Sequence, residues 1–247
     1  MLYIFLKQYA ITAPIAGMLY PGLIPLMYGE NQVPVAVSII GLLLALLVPY
    51  LLGSFNTAVF ISSKFYHDDI RNHGSGNAGF TNIMRVYGAK AAVITFAGDL
   101  LKTVLAILVG WFTFGYVMAY ISGLACFFGH IFPVFYRFKG GKGVVCAATI
   151  MFMLDWRIFL IELGLFIGIL LLSKYISLSS VLCGMTYPIF LNRMNMTTVH
   201  IIELVAIIIA ITVVVKHRAN LVRIYNGTEN KFKFKKSKPI DEDTKNA

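Results

Sequence analysis

Residues 91–131 read AAVITFAGDLLKTVLAILVGWFTFGYVMAYISGLACFFGHI. Asp99 and Lys102 are the formal charges of this stretch, and His130 stands near its end. A transmembrane helix needs about 20 apolar residues, so the run is too long for one pass and reads as two, over 90–111 and 113–135. Similar runs lie at 35–62, 143–156, 158–172, 177–191 and 199–215. The segments 143–156 and 177–191 are short, and they span only if tilted or if their flanks enter the bilayer. Across the chain, 58% of residues are hydrophobic and 13% are charged. A soluble domain carries about 25% charged residues, so a soluble globular protein is excluded. The long apolar runs also exclude a disordered chain. The expected fold is all-α: a polytopic integral membrane helical bundle with seven core transmembrane helices.

The N-terminal stretch 10–29 is apolar but holds Pro14, Pro21 and Pro25, and prolines at this density oppose a straight helix. It reads as an eighth span or as an interfacial segment, with the eighth span preferred. The expected organisation is an apolar extension over 1–34, a membrane domain over 35–223 and a basic, then acidic, tail over 224–247.

The net charge is +10, and its distribution gives its meaning. Lys64, Arg71, Arg85 and Lys90 fall in the loop 64–90; Arg137, Lys139 and Lys142 fall in the loop 136–143. Lys174 follows the fifth span, and the tail is rich in lysine. The alternate loops hold only Arg157 and Arg193. This asymmetry follows the positive-inside rule, so the charge reports topology and contact with membrane lipid, not a nucleic-acid face. Cys126, Cys146 and Cys183 lie in apolar runs without zinc-type spacing and read as reduced thiols. No His, Cys, Asp or Glu cluster has metal-ligand spacing, so no metal is expected.

Two loops on the lysine-rich side carry the chemistry. The first contains Gly74-Ser75-Gly76-Asn77-Ala78-Gly79, followed by Thr81, Asn82 and Arg85. Its G-x-G-x-x-G spacing is not a dinucleotide fingerprint here, because membrane spans flank it instead of a βαβ unit. Glycines still let backbone N–H groups approach an anion, and Arg85 can grip phosphate in a fork. The second loop runs from His130 through Lys139-Gly140-Gly141-Lys142-Gly143. It lacks the Walker hydroxyl that would hold magnesium, yet lysines among glycines at a helix start make an anion cradle. Further along, Ser177 and Ser180 lie in a serine cluster, and His217 and Asn220 share a helical face at i, i+3. Asp99 and Lys102 are also i, i+3; they either neutralise each other or help build the floor of a site. Together these residues predict a membrane-interface site for a phosphate-bearing substrate.

The ordered motifs GSGNAGFTNIMRVYG, GHIFPVFYRFKGGKG, KYISLSS and KHRANLVRIYNGTENKF resemble those of bacterial acyl-phosphate:glycerol-3-phosphate acyltransferases over roughly 48–232. The resemblance implies about seven spans and transfer of a fatty acyl group from acyl phosphate to the sn-1 hydroxyl of glycerol 3-phosphate, at the cytoplasmic face of the bacterial cell membrane. The products are lysophosphatidic acid and phosphate. No cofactor is implied, and a monomer is expected. The resemblance carries catalytic roles onto Ser75, Arg85, His130, Lys142, His217 and Asn220. Substrate binding falls to Gly74, Gly76, Asn77, Thr81, Asn82, Lys139, Gly140, Gly141, Gly143, Ser177 and Ser180. His217 or a substrate phosphate is the candidate base. An acyl-enzyme at Ser75 is not expected, because the donor is already activated. Phe80 and Met84 depart mildly from the family pattern. A transporter or lipid-binding protein with the same cradles, and an acyltransferase with a thioester donor, are the rival readings.

Overall fold

A computed structural model describes residues 22–28, 33–194 and 200–232, and among these the regular structure is helical. The preferred eighth span at 10–29 falls mostly outside the described residues, as does the end of the tail. The helices are α1 (Leu23–Tyr28), α2 (Val35–Ser54), α3 (Thr57–Tyr66), α4 (Phe80–Phe114), α5 (Tyr116–Ile131), α6 (Val144–Leu154), α7 (Trp156–Ser173), α8 (Ile176–Arg193), α9 (His200–Lys216) and α10 (Arg218–Tyr225). Each of the seven apolar runs thus carries a helix. Four helical stretches, Val35–Tyr66, Phe80–Phe114, Tyr116–Tyr136 and Trp156–Ser173, are long and apolar enough to cross a membrane; α9 taken with α10, bent from it by 50°, makes a fifth. The outward faces are apolar, with Leu43, Leu47, Leu172 and Ile211 all exposed. An apolar exterior suits a lipid solvent, where backbone groups are satisfied inside each helix. The chain is a multi-pass membrane protein.

Two element boundaries differ from the sequence reading. The run 35–62 is broken after Ser54, where the chain turns and Asn56 caps α3 by accepting from the Val59 N–H at 3.0 Å. An Asn in this position satisfies one of the free N–H groups of a helix start. The polar loop 64–90 is also shorter than expected. Helix α4 begins at Phe80, is interrupted at Gly88 (φ 83°), and continues through the apolar run to Phe114. Its first turns are polar because they stand at the end of the bundle, so hydropathy alone missed them.

Helices α2, α4 and α5 pack against one another, and α7, α8 and α9 form a second group joined to them through α6. The α2–α5 crossing is close. A Cβ on Gly53 would run into the Cys126 carbonyl, and one on Gly129 would run into the Tyr50 carbonyl. Small residues at such crossings let backbones approach within a membrane, where dispersion and not water exclusion drives helix association. Ile107, Trp111, Tyr120, Phe127, Ile150, Tyr187 and Ile209 fill the core between the groups. A smaller cluster, including Ile61, Ile70, Ile83 and Ala92, seats the first glycine loop on α3 and α4.

Replacing Gly53 with Val should lower stability by about 1–3 kcal/mol, the usual cost of overpacking. Thermal unfolding in detergent would show this as a reduced Tm. A Gly164→Val control, where an added Cβ meets nothing within 4 Å, should shift Tm much less.

Candidate active site

The loops before α4, α6 and α8 and the break between α9 and α10 gather at one end of the bundle around a cavity of about 660 Å³. Three helices start there. The caps of α4, α6 and α8 are Gly79, Gly143 and Tyr175, and none supplies a side-chain cap. The first N–H groups of these helices are left for a ligand, and their dipoles favour an anion. Residues from the starts of all three line the cavity: Thr81, Val144 and Ser177.

The first glycine loop is shaped from within. Asn82 is buried, its Oδ1 accepts from the Ser75 N–H at 2.9 Å, and its Nδ2 donates to the carbonyls of His73 (2.9 Å) and Ile70 (3.2 Å). This amide holds Ser75 at the cavity, beside Asn77, Thr81 and Arg85.

The second loop rests on a buried polar hub. Lys102 Nζ lies 2.7 Å from Asp99 Oδ1, 3.0 Å from the Phe55 carbonyl and 2.9 Å from His130 Nδ1. An ammonium has three donors and no acceptor, so all three are used and His130 Nδ1 accepts. The ring hydrogen is therefore on Nε2, which faces Gly141. A Cβ on Gly141 would strike that nitrogen, and one on Gly140 would strike the His130 carbonyl. Thr57 Oγ1 also donates to Asp99 at 3.2 Å. The glycines thus let the second loop lie directly on His130, and they place Lys142 at the cavity.

The tail supplies the remaining wall. Lys142 Nζ donates to Asn220 Oδ1, while Asn220 Nδ2 donates to Glu229 Oε1 at 2.7 Å. Ser177 Oγ donates to the same oxygen at 2.9 Å, and Arg223 Nε donates to Oε2 at 2.7 Å. Burial alone would raise the Glu229 carboxyl, but the bonds from Asn220, Arg223 and Ser177 outweigh it and hold it below the usual glutamate range. Burial pushes the Lys142 ammonium down to about 8; Glu229 opposes the shift, and Arg223, Arg85 and Lys216 reinforce it. His217 is buried in the turn after α9, with Nδ1 2.8 Å from the Val213 carbonyl. A carbonyl only accepts, so Nδ1 carries the hydrogen and the neutral ring keeps its lone pair on Nε2. Burial and the neighbouring Lys142 cation both disfavour a charged ring.

The cavity is lined by Ser75, Asn77, Thr81, Asn82, Arg85, His130, Lys142, Gly143, Ser177, Ser180, His217 and Asn220. Gly74, Gly76, Lys139, Gly140 and Gly141 are not among its lining. Gly74 and Gly76 turn the first loop at positive φ, Gly140 and Gly141 pack on His130, and Lys139 is exposed. Ser180 Oγ donates back to the Ile176 carbonyl of its own helix at 2.9 Å. Glu229, Asn230 and Phe232, set in the tail by the sequence reading, also line the cavity. Glu229 was missed. Its signal is weak: an acid within a strongly basic segment, inside a quoted motif.

A family model described as glycerol-3-phosphate acyltransferase matches residues 43–227. The chain belongs to this family. A glycerol-3-phosphate acyltransferase of Thermoanaerobacter sp. (strain X514) is 39% identical over 191 residues, covering 76% of this chain and 94% of the relative. One from Mycoplasmopsis agalactiae is 36% identical over 233 residues, covering 81% and 97%. Among solved structures, the fold is similar to PlsY, an integral membrane glycerol 3-phosphate acyltransferase, in its glycerol 3-phosphate form, with a TM-score of 0.73 and 34% identity over 78% of this chain and 96% of that one. It also resembles the lysophosphatidic acid form, with a TM-score of 0.70 and 32% identity. In this family member, the four motif regions converge on one cavity.

Asp99→Ala leaves Lys102 buried beside His130 without its carboxylate. Removing one partner of a buried pair costs about 3–5 kcal/mol. The double variant Asp99→Ala/Lys102→Met should recover part of that loss, read from unfolding midpoints in detergent.

Proposed function

We propose that this protein transfers a fatty acyl group from acyl phosphate to the sn-1 hydroxyl of glycerol 3-phosphate. The products are lysophosphatidic acid and inorganic phosphate, and the step serves phospholipid synthesis. The observation that carries the reading is one cavity with two chemistries. One part of its lining has cations and three open helix starts; another, the apolar arm, has Phe96, Met151, Leu163, Phe166 and Ile209. A phosphate suits the first and an alkyl chain suits the second. The names of the relatives support glycerol 3-phosphate as acceptor.

Two phosphate-bearing substrates repel each other, so bringing them together is the main task. Arg85, Lys142 and the N–H groups at the starts of α4 and α6 offset that repulsion, and Ser75 donates to the developing oxyanion or to phosphate. His217 Nε2 accepts a hydrogen bond from the attacking hydroxyl and orients it. A ring that burial and Lys142 keep neutral is a poor proton acceptor, whereas a phosphate with a second pKa of about 6 is a better one. The hydroxyl oxygen bonds to the acyl carbon, the carbonyl–phosphate bond breaks, and the departing phosphate takes the proton. Asn220 and Glu229 position Lys142, and His130 supports the loop that carries it.

The topology we assign has seven spans over residues 35–223, a monomeric unit, and the cavity at the cytoplasmic face of the bacterial cell membrane, where the lysine-rich loops belong. The 11 residues of α6 cover about 16 Å, less than the bilayer core. Gly141 and Gly143 are buried, so the second loop supplies the missing depth by dipping into the bundle.

Purified protein in a lipid phase should release phosphate and form lysophosphatidic acid in equal amounts from palmitoyl phosphate and glycerol 3-phosphate, and should do neither with palmitoyl-CoA. Product from the thioester instead would overturn the donor assignment. Lys142→Ala should reduce kcat/KM by about 100-fold or more. The Lys142 cation is present below its pKa and is lost as pH rises through about 8. The kcat/KM profile should therefore fall on the alkaline side of that value, and Lys142→Arg should move the fall out of the measured range.

A further inference from the structure

Besides Asp99 in the polar hub and Glu229 beside Asn220, a third carboxylate, Glu162, lines the cavity among its apolar residues. Along α7, Phe159, Leu163, Phe166 and Leu170 line the arm at helical spacing, and Glu162 lies among them. Helix α7 is otherwise largely open to lipid; Ile158 and Glu162 are its buried residues, and Glu162 is 4% exposed. Thr186 of α8 lies 2.8 Å and 3.1 Å from the two carboxylate oxygens. Cys183, one turn earlier on α8, lines the arm and has its Sγ 3.4 Å from the Glu162 backbone carbonyl. Glu162 is thus fixed in place, and it faces a space otherwise suited to hydrocarbon. An ionisable side chain within a span is costly to keep, and it marks a functional position by default.

Its depth suggests what it does. Helix α7 ends at Ser173, just before the serine cluster at the mouth. Ser173 lies eleven positions beyond Glu162, which at 1.5 Å per residue is about 16 Å. An extended alkyl chain advances about 1.25 Å per carbon, from carbon–carbon bonds near 1.5 Å at tetrahedral angles. A chain whose carbonyl sits at the mouth therefore reaches Glu162 at about its thirteenth carbon. We propose that the Glu162–Thr186 pair interrupts the acyl arm, one turn short of Phe159, and sets the length of chain that this enzyme draws into the bundle. The inference rests on the reading of the cavity as an acyl-transfer site. A methylene placed before Glu162 exchanges water or lipid for the apolar lining. One placed beyond it has to strip polar contact from the carboxylate, so a longer tail turns sideways between the helices and gains nothing more.

The test is a chain-length series. Full-length protein in a lipid phase would receive acyl phosphates of 10 to 18 carbons with glycerol 3-phosphate, and kcat/KM would be normalised to the 10-carbon donor. In the wild type the ratio should climb by up to about fourfold per methylene as far as about 12–14 carbons, then level off. In Glu162→Leu the climb should continue, leaving the 18-carbon ratio at least about tenfold above that of the wild type. Glu162→Gln keeps the volume and the contact with Thr186, and should shift the ratio in the same direction by less; it carries the test if the leucine variant does not fold. Profiles that superimpose for wild type and variant overturn the ruler and leave the acyl-transfer reading intact. No product from the wild type at any chain length overturns both.

Discussion

The Lys102 ammonium is the contact on which the rest of the site depends. It lies in the second span, yet its three donors reach three parts of the chain: Asp99 on its own helix, the Phe55 carbonyl where the first span breaks, and His130 at the end of the third. A broken helix inside a bundle leaves carbonyls without partners, and each costs free energy in a medium without water. Lys102 answers one of these. The same charge orients the ring on which the second glycine loop lies. The break in the first span and the placement of Lys142 are therefore two results of one buried cation, itself balanced by Asp99.

Glu229 plays the complementary part at the mouth. Its two oxygens collect Ser177 from α8 and Asn220 and Arg223 from α10. Through Asn220 it reaches Lys142. The cavity needs positive charge to hold phosphate, but its cations would repel one another if left alone. A single buried carboxylate behind them keeps Arg223 and Lys142 together while leaving their side of the cavity electropositive. The negative residue was harder to recognise than the positive ones because its oxygens are taken up by Ser177, Asn220 and Arg223.

Much of this was legible because the solvent is lipid. Hydropathy located apolar runs that each carry helix, and lysine placement sorted the loops into two sets. The polar motifs, being expensive near a membrane, pointed to the cavity; Ser75, Arg85, Lys142, His217 and Asn220 meet there. What escaped was of two kinds. The helical start at Phe80 and the break after Ser54 were hidden because hydropathy reports the medium around a residue, not its backbone angles. The uses of Asn82 and Gly141 were hidden because a short motif does not say which member faces ligand and which faces its neighbour. Asn82 directs both ends of its amide into the first loop, and Gly141 is small because His130 occupies the space its side chain would need.

The wall formed by α7 is thin. That helix fully buries two residues, its others being half-buried or exposed, and four of those others, Phe159, Leu163, Phe166 and Leu170, line the apolar arm. A single helix is thus what separates this side of the cavity from the lipid around the bundle. Were the donor the acyl phosphate of the proposed reaction, the two reagents would arrive by perpendicular routes, the acceptor from the aqueous face and the donor through the leaflet. Donor supply would then be governed by its density in the surrounding leaflet rather than by its concentration in bulk solution, and the rate would respond to dilution of the membrane as well as to dilution of the medium.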